Sequence, residues 1–119
     1  MNRNTVFDLR EALSRIDDDR ETLHAMIEVF LEQGPQDLAA VREALDRRDA
    51  AAAARFAHRL KGSALQFCAD AAVEAAKAVE AAGKGGDVEE TDRLFRKLET
   101  EAARLFEALR AELGGDLAA

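Results

Sequence analysis

The chain has 119 residues, 24 of them acidic and 17 basic, for a formal net charge of −7. That length holds one domain with a real core and not two, and 48% hydrophobic with 34% charged residues is a globular balance rather than a disordered one. The negative charge argues against nucleic acid or an anionic membrane as partner, which leaves a protein or a small molecule.

No run approaches the ~20 apolar residues that span a bilayer, and "MNRNTVFDLREAL" lacks the apolar stretch of a signal peptide. The single Cys cannot form an internal disulfide, which suits a cytoplasmic protein. Met1 and the absence of a linker suit a stand-alone one. With six Phe, one Pro and neither Trp nor Tyr, against abundant Ala, Leu, Glu and Arg, the composition predicts an all-α fold.

In chain order, "NTVFDLREALSRIDDD" predicts a short first helix, with Thr5 and Asp8 in capping-box spacing and Leu9, Leu13 and Ile16 as its stripe. Asp17, Asp18 and Asp19 then open a long second helix, where negative charge suits the helix dipole. Its stripe is Leu23, Ile27, Phe30, Gly34, Leu38, Val41 and Leu45; the phase survives Pro35, so one kinked helix is expected. "DRRD" is a tight connection in which Asp49 can cap a third helix, from about Ala50 to Phe67. "CAD" is a short turn, Asp70 a candidate cap for a fourth helix over "AAVEAAKAVEAA", and Gly83 to Gly86 the strongest loop signal. Asp87 and Glu90 form another capping pattern, Phe95, Leu98, Ala102, Leu105 and Leu109 the stripe of a last helix, and residues 114–119 a fraying tail. Short connections make successive helices antiparallel, which predicts an up-down four-helix bundle over residues 7–113 with a short extra N-terminal helix.

Chemistry concentrates in "AHRLKGSALQF", residues 57 to 67. Leu60, Ala64 and Phe67 point into the bundle, whereas His58, Lys61, Gly62 and Leu65, at i, i+3, i+4 and i+7, share a different, outer side. A turn centred near Ala69 places Leu65 opposite Val73, Gly62 opposite Ala76 and His58 opposite Glu80, so a carboxylate is expected beside the imidazole. Such a carboxylate fixes the tautomer and leaves the other ring nitrogen nucleophilic. Lys61 would set positive charge where a phosphoryl group on that nitrogen would sit. Gly62, a costly residue inside a helix, would clear the way for another protein's active site.

These residues resemble a histidine-containing phosphotransfer (HPt) domain. "AHRLKGSA" follows that family's pattern of His, any residue, an aliphatic, Lys, Gly and small residues, and the similarity extends from about Phe7 to Leu113. The resemblance implies that His58 is phosphorylated, with Lys61 its charge partner, Gly62 the open position and Glu80 the hydrogen-bonding carboxylate found in chemotaxis kinases. It also implies response-regulator receiver domains and a hybrid histidine kinase as partners. Mg²⁺ would be held only in the receiver, and the protein would be a monomeric carrier with no cofactor or turnover of its own. One departure stands out: where the family usually has Gly, ten residues after the His, this chain has Cys68, in the turn between the two central helices.

Plainer alternatives stand beside these assignments. Lys61 can be ordinary surface charge, Glu80 a solvated carboxylate paired with Lys77 or Lys84, and Gln66 either a hydrogen-bonding neighbour of the phosphoryl group or a plain surface residue. Leu65, with Leu13 or Ile16, can form a docking rim or simply incompletely covered core. His24 has no expected role, and no ligand spacing supports a metal site. Two other functions remain open: a bundle that binds a receiver or kinase without carrying phosphate, and the dimerisation and phosphoacceptor domain of a histidine kinase. The latter normally has an acidic residue after the His, where this chain has Arg59.

Overall fold

The protein is described by a computed structural model over residues 6–118. Helix α1 spans Leu9–Ser14, α2 Arg20–Asp46, α3 Ala50–Gln66, α4 Asp70–Lys84 and α5 Val88–Ala118. The fold is all-α, as expected. Helix α2 packs on α3 and α5, and α4 on α3 and α5, so the four long helices close a ring, with α1 against one end. Leu23, Ile27, Phe30, Leu60, Phe67, Val79, Phe95, Leu98, Leu105 and Leu109 are buried in one contiguous core to which α1 adds Ala12 and Leu13. No helix among the described residues is long and apolar enough to cross a membrane.

The helix starts are set by short acidic caps. Asp8 accepts from the Glu11 amide at 3.0 Å and Asp19 from that of Thr22 at 3.1 Å. Asp49 accepts from Ala52 and Asp87 from Glu90, each at 3.0 Å. Asp8 is itself the N-cap of α1; Thr5 lies outside the described residues. Asp17 and Asp18 do not open α2 but stand in the left-handed turn before Asp19. Helix α2 continues through Pro35, which leaves the Leu31 carbonyl without its usual intrahelical donor. At buried Gly34 a Cβ would lie 2.8 Å from the rings of Phe30 and Phe106, so glycine lets α5 press its Phe106 against α2.

Three further expectations need correction. Asp70 does not cap α4: it is the first helical residue, Ala69 is the N-cap without a side-chain bond, and burial of Ala69 leaves no room for a polar cap. Gly83 and Lys84 are helical, and the loop begins at Gly85, with Gly86 in the left-handed region at φ 82°. Gly83 serves packing, because a Cβ there would meet the Ala50 carbonyl at 2.7 Å and the Ala54 Cβ at 2.9 Å. Finally, the backbone of α5 stays helical through Ala118 rather than fraying from residue 114, with no proline to stop its ladder.

The α3–α4 turn explains the Cys68 departure. The Ala69 amide reaches the Ala64 carbonyl at 3.2 Å and the Cys68 amide that of Leu65 at 3.1 Å, a Schellman closure. That closure needs a left-handed residue, and Cys68 adopts φ 55°. The turn geometry is kept without glycine, at the cost of a strained cysteine.

Candidate functional site

The two central helices build the site. Helix α3 carries His58 on its outer face, its side chain 63% exposed, and α4 brings up Glu80, whose side chain is only 9% exposed. His58 Nδ1 and Glu80 Oε2 are 2.9 Å apart, as the turn-centred pairing predicts. Two ammonium groups hold the same carboxylate: Lys61 Nζ donates to Oε1 at 2.7 Å, and Lys84 Nζ lies 3.1 Å from Oε2. The Lys61 hydrogen bond foremost, with Lys84 and His58 adding, holds the Glu80 carboxyl down at about 2 against desolvation.

This electrostatic arrangement fixes the imidazole. An ionised carboxylate only accepts, so the contact requires a proton on Nδ1. In the neutral ring the lone pair then sits on Nε2, on the opposite edge from Glu80. The site offers an anchored, outward-facing nitrogen nucleophile on a rigid helix.

The neighbouring residues divide between outside and inside. Around Gly62 a Cβ would meet nothing within 4 Å, so the space above the helix is open. Leu65 is 48% exposed one turn on, and Gln66 is exposed beside it. Leu13, by contrast, is buried, and Ile16 packs half-buried against the core. Lys61, one turn from His58, gives its ammonium group to the ionised Glu80 at 2.7 Å. Of the two lysines that could pair with Glu80, Lys84 does so. His24 sits away from this site, its Nε2 3.3 Å from Glu112 Oε2, which also receives Arg20 at 2.9 Å.

Two residues of α2 escape the apolar pattern. Val29, 65% exposed, falls off the buried stripe of α2, and that phase was its only signal. Asp37 lies on the stripe and is buried, accepting from Gln33 Nε2 at 3.4 Å with Arg59 of α3 at 3.5 Å. Its position seven residues after Phe30 and four before Val41 gives that burial away.

Comparison with known proteins agrees with this geometry. The crystal structure of histidine-containing phosphotransfer protein B (HptB) from Pseudomonas aeruginosa PAO1 superposes with a TM-score of 0.83 at 21% identity, covering 92% of this chain and 95% of that one. That likeness shows a shared fold. No curated protein matches the chain. The Hpt domain family model matches residues 25–113, from within α2 to within α5. The chain therefore belongs to the Hpt domain family, and its role is histidine phosphotransfer in two-component phosphorelay signalling.

Proposed function

We propose that His58 is the residue that carries the phosphoryl group, and that the protein relays it between receiver domains as a cytoplasmic monomer. The observation that carries this assignment is the pairing of His58 Nδ1 with ionised Glu80 while the ring is largely exposed. The Nε2 lone pair attacks the phosphorus of a receiver's aspartyl phosphate. The N–P bond forms, the O–P bond breaks, and the receiver is left with a free aspartate. The Nδ1 proton stays on the ring, where Glu80 balances the positive charge that develops there. The reverse sequence delivers the group to a second receiver.

Lys61 and Lys84 are the cations available to the phosphoryl oxygens, each by giving up its bond to Glu80. Gly62, Leu65 and Gln66 form the surface against which the receiver's active site closes. The bundle supplies orientation and charge, divalent-ion chemistry belongs to the receiver, and the protein is a carrier rather than a catalyst. A hybrid histidine kinase is the expected first donor. A kinase dimerisation domain is the weaker alternative, because this chain closes a four-helix ring with its own helices.

The test is intact-mass analysis after mixing with phosphorylated receivers. Wild type gains one acid-labile, base-stable phosphoryl group, and His58→Gln, folded normally, gains none. Label that persists in His58→Gln would move the site elsewhere. Binding without any uptake by the wild type would make the protein an interaction module.

A further inference from the structure

The helix that bears His58 is chemically one-sided. No Asp or Glu occurs between Asp49 and Asp70, so Arg55, Arg59 and Lys61 have no carboxylate on their own helix, in a chain of net charge −7. Lys84 adds a cation across the seam, and Lys77 shares that face of α4 by its spacing from Glu80 and Lys84. Among the described residues, the carboxylates that pair with Arg59, Lys61 and Lys84 are the buried Asp37 and Glu80. Arg55 is exposed and makes no ion pair among the described residues. The surroundings of His58 are a positive island on an acidic protein.

The island has a shape. A groove of about 620 Å³ runs from His58 toward the start of α3, floored by Ala51 and Ala54 and edged by Arg55, Arg59 and Lys84, with Glu80, already held by the two lysines, at its His58 end. It lies on the side of His58 away from Leu65. The floor is shallow because Gly83 lets α4 approach α3 closely and the facing residues are alanines. From Ala51 to His58 is two helical turns, about 10 Å. An apolar floor of that length with cations on its rim is larger than a bare phosphate needs, and it matches an amphipathic segment carrying carboxylates.

We propose that this groove seats an acidic amphipathic segment of the receiver domain that exchanges phosphoryl groups with His58. The inference rests on His58 being the phosphoryl carrier. The segment's apolar stripe lies on Ala51 and Ala54, and its carboxylates face Arg55, Arg59 and Lys84. A protein of charge −7 would otherwise repel a partner whose reacting centre is itself a carboxylate; the island turns that repulsion into steering at the one place where docking is productive. With Leu65 on one side of His58 and the cationic groove on the other, the partner has a single preferred orientation.

Rapid-quench transfer from a phosphorylated receiver, followed against ionic strength, tests the groove. Arg55→Glu lowers kcat/KM about tenfold at low salt, and the loss shrinks toward nothing at about 0.5 M salt as the charges are screened. Arg110→Glu, the same change in net charge on an exposed residue of α5, leaves the rate unaltered. Ala51→Trp, which fills the floor without altering charge, raises KM at every salt concentration. Arg55→Glu matching wild type at low salt, Arg110→Glu losing as much as Arg55→Glu, or Ala51→Trp transferring normally would each overturn the groove and leave the His58 assignment standing. A wild type that takes no phosphoryl group from any receiver removes that assignment and the groove with it.

Discussion

Glycine inside a helix costs about 0.5–1 kcal/mol relative to alanine, and at Gly62 nothing within the fold asks for it, since a Cβ would meet no atom within 4 Å. At Gly34 and Gly83 the same addition would strike rings or backbone. We propose that the use of Gly62 lies outside the molecule, in the approach of a partner to His58. Gly62→Ala is expected to gain about 0.5–1 kcal/mol in urea melts while slowing transfer from a receiver; a variant that gains stability and transfers at full rate would strip Gly62 of that role. Glu80 makes a second prediction at this scale. Its carboxyl is held down at about 2 in the fold, chiefly by the Lys61 hydrogen bond, against 4.5 for an ordinary glutamate. A depressed folded value stabilises fully above 4.5, and the contribution fades as pH falls through about 2. Glu80→Gln should cost about 1 kcal/mol at neutral pH, with the gap to wild type closing across that acidic window. Melts that show a pH-independent gap would mean that the lysines do not hold the carboxylate in solution.

Among the elements, the α3–α4 hairpin matters most, because it sets His58 against Glu80. Its turn holds Cys68 at φ 55°, a conformation that costs an L-residue about 1–2 kcal/mol. Cys68→Gly should raise stability by about 1 kcal/mol in thermal or denaturant melts, and an unchanged or lower midpoint would show that the thiol's packing outweighs the strain. Much of this hairpin is legible in the sequence. The stripes of α2, α3 and α5 announce the core because a period of 3.6 admits few burial patterns, and a turn two or three residues long fixes which residues of α3 and α4 stand level. That was enough to bring Glu80 to His58. Gly83 was not legible, because a glycine that ends a helix and one that lets two helices touch look alike in sequence. Asp70 has the chemistry of a cap, but one residue earlier the chain turns inward and buried Ala69 takes the position. Lys61 pairing with Glu80 depends on side-chain torsions and on a carboxylate shared with Lys84, neither of which a helical projection contains.

At the scale of the whole molecule, the four long helices bury their stripes against one another, and α1 is stitched to the end of α3 by Arg15 donating to the Leu65 carbonyl at 3.1 Å and the Asp8 amide to that of Phe67 at 3.2 Å. Among the described residues the large hydrophobics left exposed are Val29 and Leu65, on different helices, and they make no continuous stripe along one helix that a second copy must cover. Sedimentation equilibrium should therefore return a single species near the chain mass of 13.0 kDa, whereas a stable dimer would favour the kinase dimerisation alternative. The lack of acidic residues on α3 also bears on time. Glu80 of α4 meets the ring at Nδ1, across from Nε2, and α3 itself has no carboxylate to draw a proton from an approaching water. A phosphoryl group on Nε2 would then find no general base on the helix that bears it, and its lifetime would approach that of the N–P bond itself. Such a protein keeps no clock. The duration of the signal is decided by when the next receiver arrives.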